Sequence, residues 1–527
     1  MTFRNNELVK MNVLFRIMVG LQKLLAWFLT PLFWYRSRKL HKKIPKITND
    51  VLKYSATTLA KKIRQKEITC MEVIKAYIER IKEVNPIINA VVQERFSDAL
   101  KDAEKVDKII SNNEFSEDYI AKKFPLLGVP LTVKESCQLK GLSYCVGTKK
   151  RLGLKAEENG ETVRKLQDAG AIALLVSNTP ELSCAWETHN LVTGRTLNPY
   201  HTGYTSGGSS GGEGALLGAG ASVVGVGTDV AGSIRLPAMF NGIFGHKPTP
   251  RLISIEGTYP FCQDKRYADF FAVGPMTRYA EDLKLMMSIM SSEPTVLKLD
   301  EKIEMKEMKI FWMLDAEKSM VLCSVDEDIK TVLNNSVTHL KDCGCSIENY
   351  KFDMKNTCEI GATLLYDMDN IPNVLADPLD GKDTKNLHLE MLKALFTSSE
   401  YSLHSLYFYF LQKHNIFVSR SKYNHYNEKS RQLKNDFVEK LGNNGVFLYP
   451  TFPLSGLEHD KTLLLTTGVM YTMIFNVLGM PSTHVPLGIN RKGLPIGIQV
   501  VSSPYQDRLC VLVAEELERK FGGWKEP

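Results

Sequence analysis

The sequence predicts an α/β fold in which helices cover a mixed β-sheet. Apolar residues recur at helical spacing from Ser55 onward, with Lys and Glu between them, and predict two amphipathic helices that end at Asn85-Pro86. Residues Thr162 to Ala169 predict a further helix closed by Gly170, and the apolar run Ala171 to Val176 predicts a buried strand directly after it. Alternation of such helices and strands is typical of an α/β sheet.

Composition and charge are those of an ordinary globular protein with an unusual N-terminus. Of the 527 residues, 44% are hydrophobic and 24% are charged. The formal net charge is +7, but residues 1–46 carry ten Lys or Arg against the single acid Glu7, which leaves a net charge of −2 on the rest. A near-neutral body lacks the basic face that nucleic-acid binding requires, so we predict no nucleic-acid partner.

Residues 1–46 predict an N-terminal hydrophobic membrane anchor with a basic flank. The hydrophobic stretch from Val13 to Tyr35 is long enough to cross a bilayer. Arg16 and Lys23 interrupt this stretch on one helical face, which is the pattern of a helix lying in the membrane interface. A membrane span and an in-plane anchor both stay open. We expect contact with membrane lipid, at an intracellular membrane of the endoplasmic-reticulum or lipid-droplet type.

Two glycine-rich loops carry the strongest signal for chemistry. The first covers residues 207–212, and the second, Gly227 to Arg235, places Ser233 24 residues after Ser209. Glycine lets backbone N–H groups approach a reacting atom, so serines in such loops indicate catalysis. A G-x-S-x-G elbow with Ser209 as nucleophile is disfavoured, because polar turn formers precede it instead of a strand. A phosphate-binding loop is also disfavoured, because Glu213 stands where a lysine is required.

Together with the upstream block Gly128 to Glu135, these loops closely resemble the amidase signature family. The resemblance extends over about residues 51–527 and is strongest with the family's membrane-associated fatty-acid amide hydrolases. It implies one catalytic domain over residues 47–527, with a twisted mixed sheet covered by helices on both sides. It also implies hydrolysis of long-chain fatty-acid amides, both primary amides and N-acylethanolamines, without a cofactor.

The resemblance assigns Ser233 as the nucleophile, Ser209 as a bridging serine held by a cis peptide bond, and Lys134 as the base. A serine hydroxyl attacks once a base takes its proton, and a lysine can be that base only when it is neutral. Lys134 follows the apolar run Val129 to Val133, so burial would lower its pKa from the reference value of about 10.4. Ser209 would pass the proton of Ser233 to Lys134 and later return a proton to the leaving amine.

Further roles in the two loops follow from the same resemblance. The implied oxyanion hole consists of the backbone N–H groups of Val230, Ala231, Gly232 and Ser233. Position 231 is often glycine in relatives, and alanine is the smallest departure from it. Gly207 and Gly208 are expected to contact the substrate. Asp229 and Arg235 flank the nucleophile, and we expect them to pair with each other or with the loop backbone as a scaffold.

The region 290–440 departs most from simple alternation and contains an aromatic run. The run comprises Tyr401, Leu403, Leu406, Tyr407, Phe408, Tyr409, Phe410 and Leu411, followed by Ile416, Phe417 and Val418. A buried core helix, a deep acyl channel and a surface that dips into lipid all stay open for it. Weaker pocket candidates are Leu464, Tyr471, Phe475 and Val477.

We predict no metal site and no cofactor. His246, His404 and His484 are isolated in the sequence, no C-x-x-C occurs, and Cys343 and Cys345 are too close for a zinc knuckle.

Two other functions share these features. The glutamine-hydrolysing component of a tRNA-dependent transamidating complex would have the same blocks, although the N-terminal anchor speaks against it. A membrane-tethered scaffold with an inactive amidase fold would have lost a catalytic serine or lysine, and none is lost here. A homodimer is expected by analogy.

Overall fold

A mixed sheet of eleven strands runs through the molecule, with a separate two-stranded ribbon beside it. The computed structural model describes residues 2–316, 322–354, 356–368, 373–376, 382–414 and 418–527. Within these ranges the strands are β1 (Val91–Glu94), β2 (Pro130–Lys134), β3 (Ile172–Ser177), β4 (His189–Asn190), β5 (Gly194–Arg195), β6 (Val224–Asp229), β7 (Phe244–Lys247), β8 (Ala272–Thr277), β9 (Lys309–Trp312), β10 (Ser346–Glu348), β11 (Gly445–Pro450), β12 (Ser482–Ile489) and β13 (Pro495–Ser502).

Helices make up most of the remaining structure. They are α1 (Thr2–Phe28), α2 (Thr30–Leu40), α3 (Ala56–Arg64), α4 (Cys70–Ile88), α5 (Phe96–Ser111), α6 (Glu117–Lys123), α7 (Glu161–Asp168), α8 (Gly211–Gly218), α9 (Arg235–Phe240), α10 (Tyr267–Phe270), α11 (Glu281–Met290), α12 (Glu327–Asp342), α13 (Thr357–Tyr366), α14 (Leu387–Leu395), α15 (Leu403–Lys413), α16 (Tyr423–Leu441), α17 (Met470–Val477) and α18 (Asp507–Phe521).

The strand order of the large sheet is β1-β3-β2-β6-β8-β7-β12-β13-β11-β9-β10. Strand β2 is parallel to both of its neighbours, β3 and β6, and β9 is parallel to β10 and β11. The other pairings are antiparallel. The predicted mixed α/β sheet is therefore confirmed, and its parallel part contains β2 and β6, whose ends form the site described below.

Both faces of the sheet are covered, as strand β11 shows. Phe447 and Tyr449 belong to the larger core cluster, whereas Val446 and Leu448 belong to a second cluster. Side chains alternate between the two faces of a strand, so the two clusters lie on opposite sides of the sheet. Helices α16 and α17 contribute to the first cluster, and α18 contributes to the second. The prediction of helices on both sides of the sheet is confirmed.

The helices predicted after Ser55 and the helix-strand pair predicted over residues 162–176 are confirmed, with one difference in a helix end. The two amphipathic helices are α3 and α4, and the predicted helix-strand pair is α7 and β3. Helix α4 continues past Asn85-Pro86 to Ile88. Proline removes one helical hydrogen bond, and in the last turn that loss is small. The helix ends at Asn89, whose φ of 49° is left-handed, and Asn85 Oδ1 accepts hydrogen bonds from the N–H groups of the next two residues.

The N-terminal helix pair, α1 and α2, lies along the body with one apolar face exposed. No single helix of the described residues is long and apolar enough to cross a membrane, but Phe15–Phe28 and Thr30–Leu40 together, bent by 54°, have the length and composition of a broken span. The side chains buried on the inner face are Phe15, Val19, Ala26 and Phe33. Those exposed on the outer face are Ile17, Leu21, Leu24, Leu25, Trp27, Phe28, Leu32, Trp34 and Tyr35. The domain boundary at residue 46 stays a prediction.

Candidate active site

The C-terminal ends of two parallel strands bring a lysine and two hydroxyls together. Strand β2 ends at Lys134, and β6 runs beside it with Val133 opposite Val226. Thr228 lies two residues further along β6, so its side chain reaches the same edge of the sheet as Lys134. The Nζ atom of Lys134 is 2.7 Å from Thr228 Oγ1 and 2.7 Å from Ser209 Oγ. The lysine is thus in direct hydrogen-bond contact with the bridging-serine candidate.

Lys134 is fully buried, and its surroundings decide its charge. Burial lowers the pKa of Lys134 to about 7, and the nearby Asp229 and Glu213 only partly oppose this effect. A low-polarity environment disfavours the charged form of an amine, which is the physical cause of the shift. A substantial fraction of the side chain is therefore neutral near neutral pH and can accept a proton from Ser209.

The loop that carries Ser209 leads into helix α8 and packs closely against the backbone of neighbouring residues. The peptide bond between Gly208 and Ser209 is cis, as predicted from the family resemblance. A Cβ atom at position 208 would lie 2.7 Å from the carbonyl oxygen of Ala185, so only glycine fits there. Thr179 Oγ1 donates a hydrogen bond to the carbonyl of Ser209 at 3.1 Å. These contacts fix the position of the Ser209 side chain relative to Lys134.

The Ser233 loop is organised by the carboxylate of Asp229. Its two oxygens accept hydrogen bonds from the backbone N–H groups of Gly232 at 2.6 Å and Ile234 at 3.0 Å, and they pair with Arg235 at 3.1 Å. Burial opposes ionisation, but the charge and hydrogen bonds of Arg235, with a hydrogen bond from Asn476, hold the pKa of Asp229 well below its ordinary value. Both expected pairings of Asp229 and Arg235 are present.

The loop around Ser233 contains the backbone N–H groups predicted to form an oxyanion hole. Gly232 has a φ of +114°, and a Cβ there would lie 2.2 Å from Thr472 Oγ1, so the loop requires glycine at this position. The Gly232 N–H donates to the Asp229 carboxylate and is therefore already engaged within the loop. Within the described residues, the N–H groups of Val230, Ala231 and Ser233 have no protein acceptor. Three of the four expected donors are therefore available for a substrate oxygen.

A large apolar cavity opens onto the two serines. Its empty volume, with the open solvent at the mouth included, is about 1280 Å³. Ser209, Thr228 and Ser233 lie in its wall, and the other described lining residues are mostly apolar or aromatic. No Asp, Glu, Lys or Arg is among the lining residues in the described part of the chain. Such a cavity suits a long hydrocarbon chain.

Comparison with known proteins assigns the family. The Amidase profile matches residues 72–511 of the chain. The chain belongs to the amidase signature family. Human fatty-acid amide hydrolase 2 is 39% identical over 499 residues, covering 93% of each chain. A glutamyl-tRNA(Gln) amidotransferase subunit from Caldanaerobacter subterraneus subsp. tengcongensis is 25% identical over 487 residues, covering 89% of this chain and 97% of that one.

A solved structure of fatty acid amide hydrolase has the same fold. It superposes with a TM-score of 0.72 at 23% sequence identity, covering 90% of this chain and 86% of the other. At this identity the likeness shows the fold alone. The family and the 39% identical relative together establish that this amidase is an amidohydrolase that acts on amides.

The structure of this amidase brings most of the predicted site residues to one cavity. Ser209, Ser233, Val230 and Ala231 line it, and Lys134 lies behind Ser209. The residues predicted to contact the substrate in the first loop, Gly207 and Gly208, are not among the lining residues; they pack against helix α9 and the segment 185–187. The catalytic and binding roles themselves stay predictions.

The aromatic run divides between cavity wall and core. Phe408, Tyr409 and Leu411 of helix α15 line the cavity, whereas Tyr401 and Leu406 pack in a separate buried cluster. Ile416 and Phe417 lie outside the described residues.

The four weaker pocket candidates were wrong. Leu464, Tyr471, Phe475 and Val477 do not line the cavity; Tyr471 and Phe475 are buried in the core. Helix α17 turns a different face to the cavity, and that face carries Met470 and Met473. Residues three apart share one helical face, which explains the pairing of the two methionines.

Sequence reasoning missed Thr228 as a partner of the lysine. The signal that could have found it is its position directly before Asp229, at the end of the strand that carries the nucleophile loop. A residue at the end of one parallel strand lies beside the end of its neighbour. The register of β2 and β6, and therefore the contact, required the structure.

Among the described residues, two groups of side chains could hold a metal by geometry. They are His339, Cys343 and Glu516, and Glu187, His404 and Asp460. In each group an arginine already pairs with the carboxylates: Arg519 with Glu516, and Arg195 with Glu187 and Asp460. Of the other histidines considered, His246 bonds Asp507, and His484 bonds Thr451. The absence of a metal stays a prediction.

The Thr228→Val variant tests the control of the lysine pKa. The threonine oxygen accepts a hydrogen bond from Lys134 Nζ and so stabilises the charged amine, so its removal should lower the pKa of Lys134 below about 7. We expect the acid limb of the pH profile of kcat/KM to move to lower pH by about one unit, together with a lower plateau. Thr277→Val is the control, because Thr277 is also a buried strand threonine and its hydroxyl donates to the carbonyl of Tyr279 rather than contacting the lysine. An acid limb that moves to higher pH in Thr228→Val would contradict this account.

Proposed function

We propose that this amidase is a membrane-associated serine hydrolase that cleaves long-chain fatty-acid amides to a fatty acid and an amine. The observation that carries the proposal is the large uncharged cavity that ends at Ser209 and Ser233, with neutralisable Lys134 behind them. The 39% identity with human fatty-acid amide hydrolase 2 over 93% of both chains supports the substrate class.

The chemistry proceeds by a proton relay. Neutral Lys134 takes the proton of Ser209, Ser209 takes the proton of Ser233, and Ser233 Oγ forms a bond to the amide carbon. The electron pair of the carbonyl moves to its oxygen, where the free N–H groups of Val230, Ala231 and Ser233 donate hydrogen bonds. The relay then runs backwards and protonates the amide nitrogen as the C–N bond breaks. Water releases the fatty acid from Ser233 by the same route.

The cavity favours a fatty-acid amide over glutamine. A glutamine substrate carries an ammonium and a carboxylate, and burying either charge without a partner is costly. The described lining residues offer no charged partner for them, although they offer extensive apolar surface. We therefore propose that this chain and the amidotransferase subunit share catalytic residues but not a substrate. An inactive scaffold is disfavoured because Lys134, Ser209 and Ser233 are all present and in one site.

The N-terminal helix pair supports the membrane association. Its outer face exposes a continuous set of Leu, Trp, Phe and Tyr side chains, and a face of this kind is typical of a membrane-interacting surface. The inner face is buried on the body, so the pair lies along the protein surface. This arrangement favours an anchor that lies in the plane of the membrane, on a membrane of the endoplasmic-reticulum or lipid-droplet type. A homodimer remains part of the proposal by analogy.

Ser233→Ala tests the nucleophile. Loss of the attacking oxygen should abolish hydrolysis of oleamide and of an N-acylethanolamine, lowering kcat by at least about a thousandfold, as measured by release of free fatty acid. Ser336→Ala is a matched control, because this buried serine on α12 bonds only the Val332 carbonyl of its own helix. Turnover by Ser233→Ala at the wild-type rate would refute the assignment.

Leu365→Trp tests the acyl cavity. Leu365 of helix α13 lines the cavity, so the larger side chain should shorten the space for the acyl chain. We expect kcat/KM for oleamide to fall about tenfold, with a much smaller change for hexanamide. The neighbouring Leu364→Trp is the control, because Leu364 packs against the core outside the cavity. Equal losses for the long and short amides would show that this wall does not hold the acyl chain.

Substitution of the exposed face of the helix pair tests membrane contact. Leu24, Trp27 and Leu32 are 60%, 74% and 59% exposed, so their replacement by Ser should leave the fold intact. Each large apolar side chain contributes about 1.5–3 kcal/mol when removed from water, so binding to phospholipid vesicles should weaken at least tenfold. The control replaces Phe115 and Tyr119, which are exposed on the body, by Ser. Unchanged co-sedimentation of the triple variant with vesicles would exclude this surface.

A further inference from the structure

The N-terminal helix pair contacts the wall of the active-site cavity through helix α15. Gln22 Nε2 of helix α1 donates a hydrogen bond to the hydroxyl of Tyr407 at 2.6 Å. Tyr407 lies next to Phe408 and Tyr409, which line the cavity. The pair is therefore joined to a helix that lines the cavity.

A second contact starts at the end of α2 and leads to a buried carboxylate. Arg36 Nη1 pairs with Asp460 Oδ2 at 3.0 Å, and the backbone N–H of Asp460 donates to Glu187 Oε2 at 2.8 Å. Arg195 pairs with both acids. Thr202 adds a parallel link, because its hydroxyl donates to the carbonyl of Leu40, the last residue of α2, at 2.6 Å.

Glu187 is completely buried and is held as a charged group. Burial alone would raise the pKa of Glu187, yet the charge of Arg195, the hydrogen bond with His459 and the nearby His404, 3.6 Å away, hold it well below its ordinary value. His459 faces an acceptor at each ring nitrogen: the Glu187 carboxylate at 2.8 Å and the Thr202 carbonyl at 3.0 Å. Both ring nitrogens of His459 are therefore engaged, and the ring connects the Glu187 carboxylate with the Thr202 carbonyl.

The segment that carries Glu187 packs directly against the loop of Ser209. Ala185 and Trp186 directly before it line the cavity, and the Trp186 ring packs edge-on against Phe408 at 4.2 Å between centroids. The same backbone lies against Gly208, where an added Cβ would lie 2.9 Å from the nitrogen of Glu187. A shift of this segment by a few tenths of an ångström would therefore move the peptide that holds Ser209.

We propose that the N-terminal helix pair is a positioning element of the active site, which acts through Asp460 and Glu187 on the loop of Ser209. The membrane-facing helices then set the geometry of the proton relay and of the cavity wall, in addition to attaching the enzyme to lipid. Glu187 is the central positioning residue, because it joins the segment under Gly208 to Asp460, which receives the ion pair from Arg36. This inference rests on the proposed function for the identity of the relay.

The test uses the full-length enzyme in detergent micelles, where membrane attachment is not required. Arg36→Ala and Tyr407→Phe each remove one link at partly exposed positions, so both variants should fold. The readouts are kcat and KM for a decanoyl p-nitroanilide, and the rate at which an alkyl fluorophosphonate phosphonylates Ser233 with loss of fluoride. Rates are compared at equal folded fraction, measured by near-ultraviolet circular dichroism.

We expect each variant to lower kcat and the labelling rate about two- to fivefold, as befits the loss of one partly exposed polar contact. Arg36→Ala combined with Asp460→Asn should be no slower than Asp460→Asn alone, because both changes interrupt the same link. Arg164→Ala is the control, since Arg164 is similarly exposed and pairs only with Asp168 on its own helix.

Wild-type kcat and labelling rates for both variants in micelles, with losses only on phospholipid vesicles, would overturn the proposal and leave the helix pair as a tether. Independent effects of Arg36→Ala and Asp460→Asn in the combined variant would also overturn the route through Asp460. The labelling rate reads Ser233 without any fatty-amide turnover. A failure of the proposed substrate class, seen as wild-type labelling without oleamide hydrolysis, is therefore distinguishable from a failure of this inference.

Discussion

The removal of water from one lysine is the constraint on which the proposed active site depends. Lys134 stands at the end of the buried strand β2, and burial is what brings its pKa down to about 7. A strand at an exposed edge could not supply this environment, since solvent would stabilise the charged amine. The central place of β2, between β3 and β6, is therefore a chemical requirement as well as a structural one.

The loops around the lysine satisfy a second requirement, which is to bring polar groups into this dry region without leaving them unpaired. The carboxylate of Asp229 neutralises Arg235 and also accepts two backbone N–H groups of the nucleophile loop. Its charge is thus matched inside the protein, and the loop is fixed without the use of the N–H groups of Val230, Ala231 and Ser233, which have no acceptor among the described residues. Buried charges that are paired in this way can be retained at a tolerable cost.

Features set by short segments could be predicted from the sequence, and features set by packing between distant segments could not. The helix before β3, the strand itself and the two serine loops are each encoded within a few residues. The contact of Lys134 with Thr228, by contrast, joins positions 94 residues apart and depends on strand register. Helix α17 carries large apolar side chains on more than one face, so its sequence could not tell that Met470 and Met473, rather than Tyr471, face the cavity. The link from Asp460 to Glu187 joins positions 273 residues apart and has no local signal.

Burial alone does not single out Lys134 as the proposed base, because a second lysine of the same protein is buried as well. Lys247 on β7 is also fully buried, and burial lowers its pKa to about 7 as well. Its Nζ donates to the carbonyl of Pro248 at 2.9 Å, and no hydroxyl bonds it within the described residues. A carbonyl oxygen has no proton to give, so a neutral amine there has nothing to deprotonate. Lys134 has a similar pKa but contacts the hydroxyl of Ser209, which lies in the wall of the cavity. The chemical difference between the two lysines thus comes from the neighbouring hydroxyl and its access to substrate.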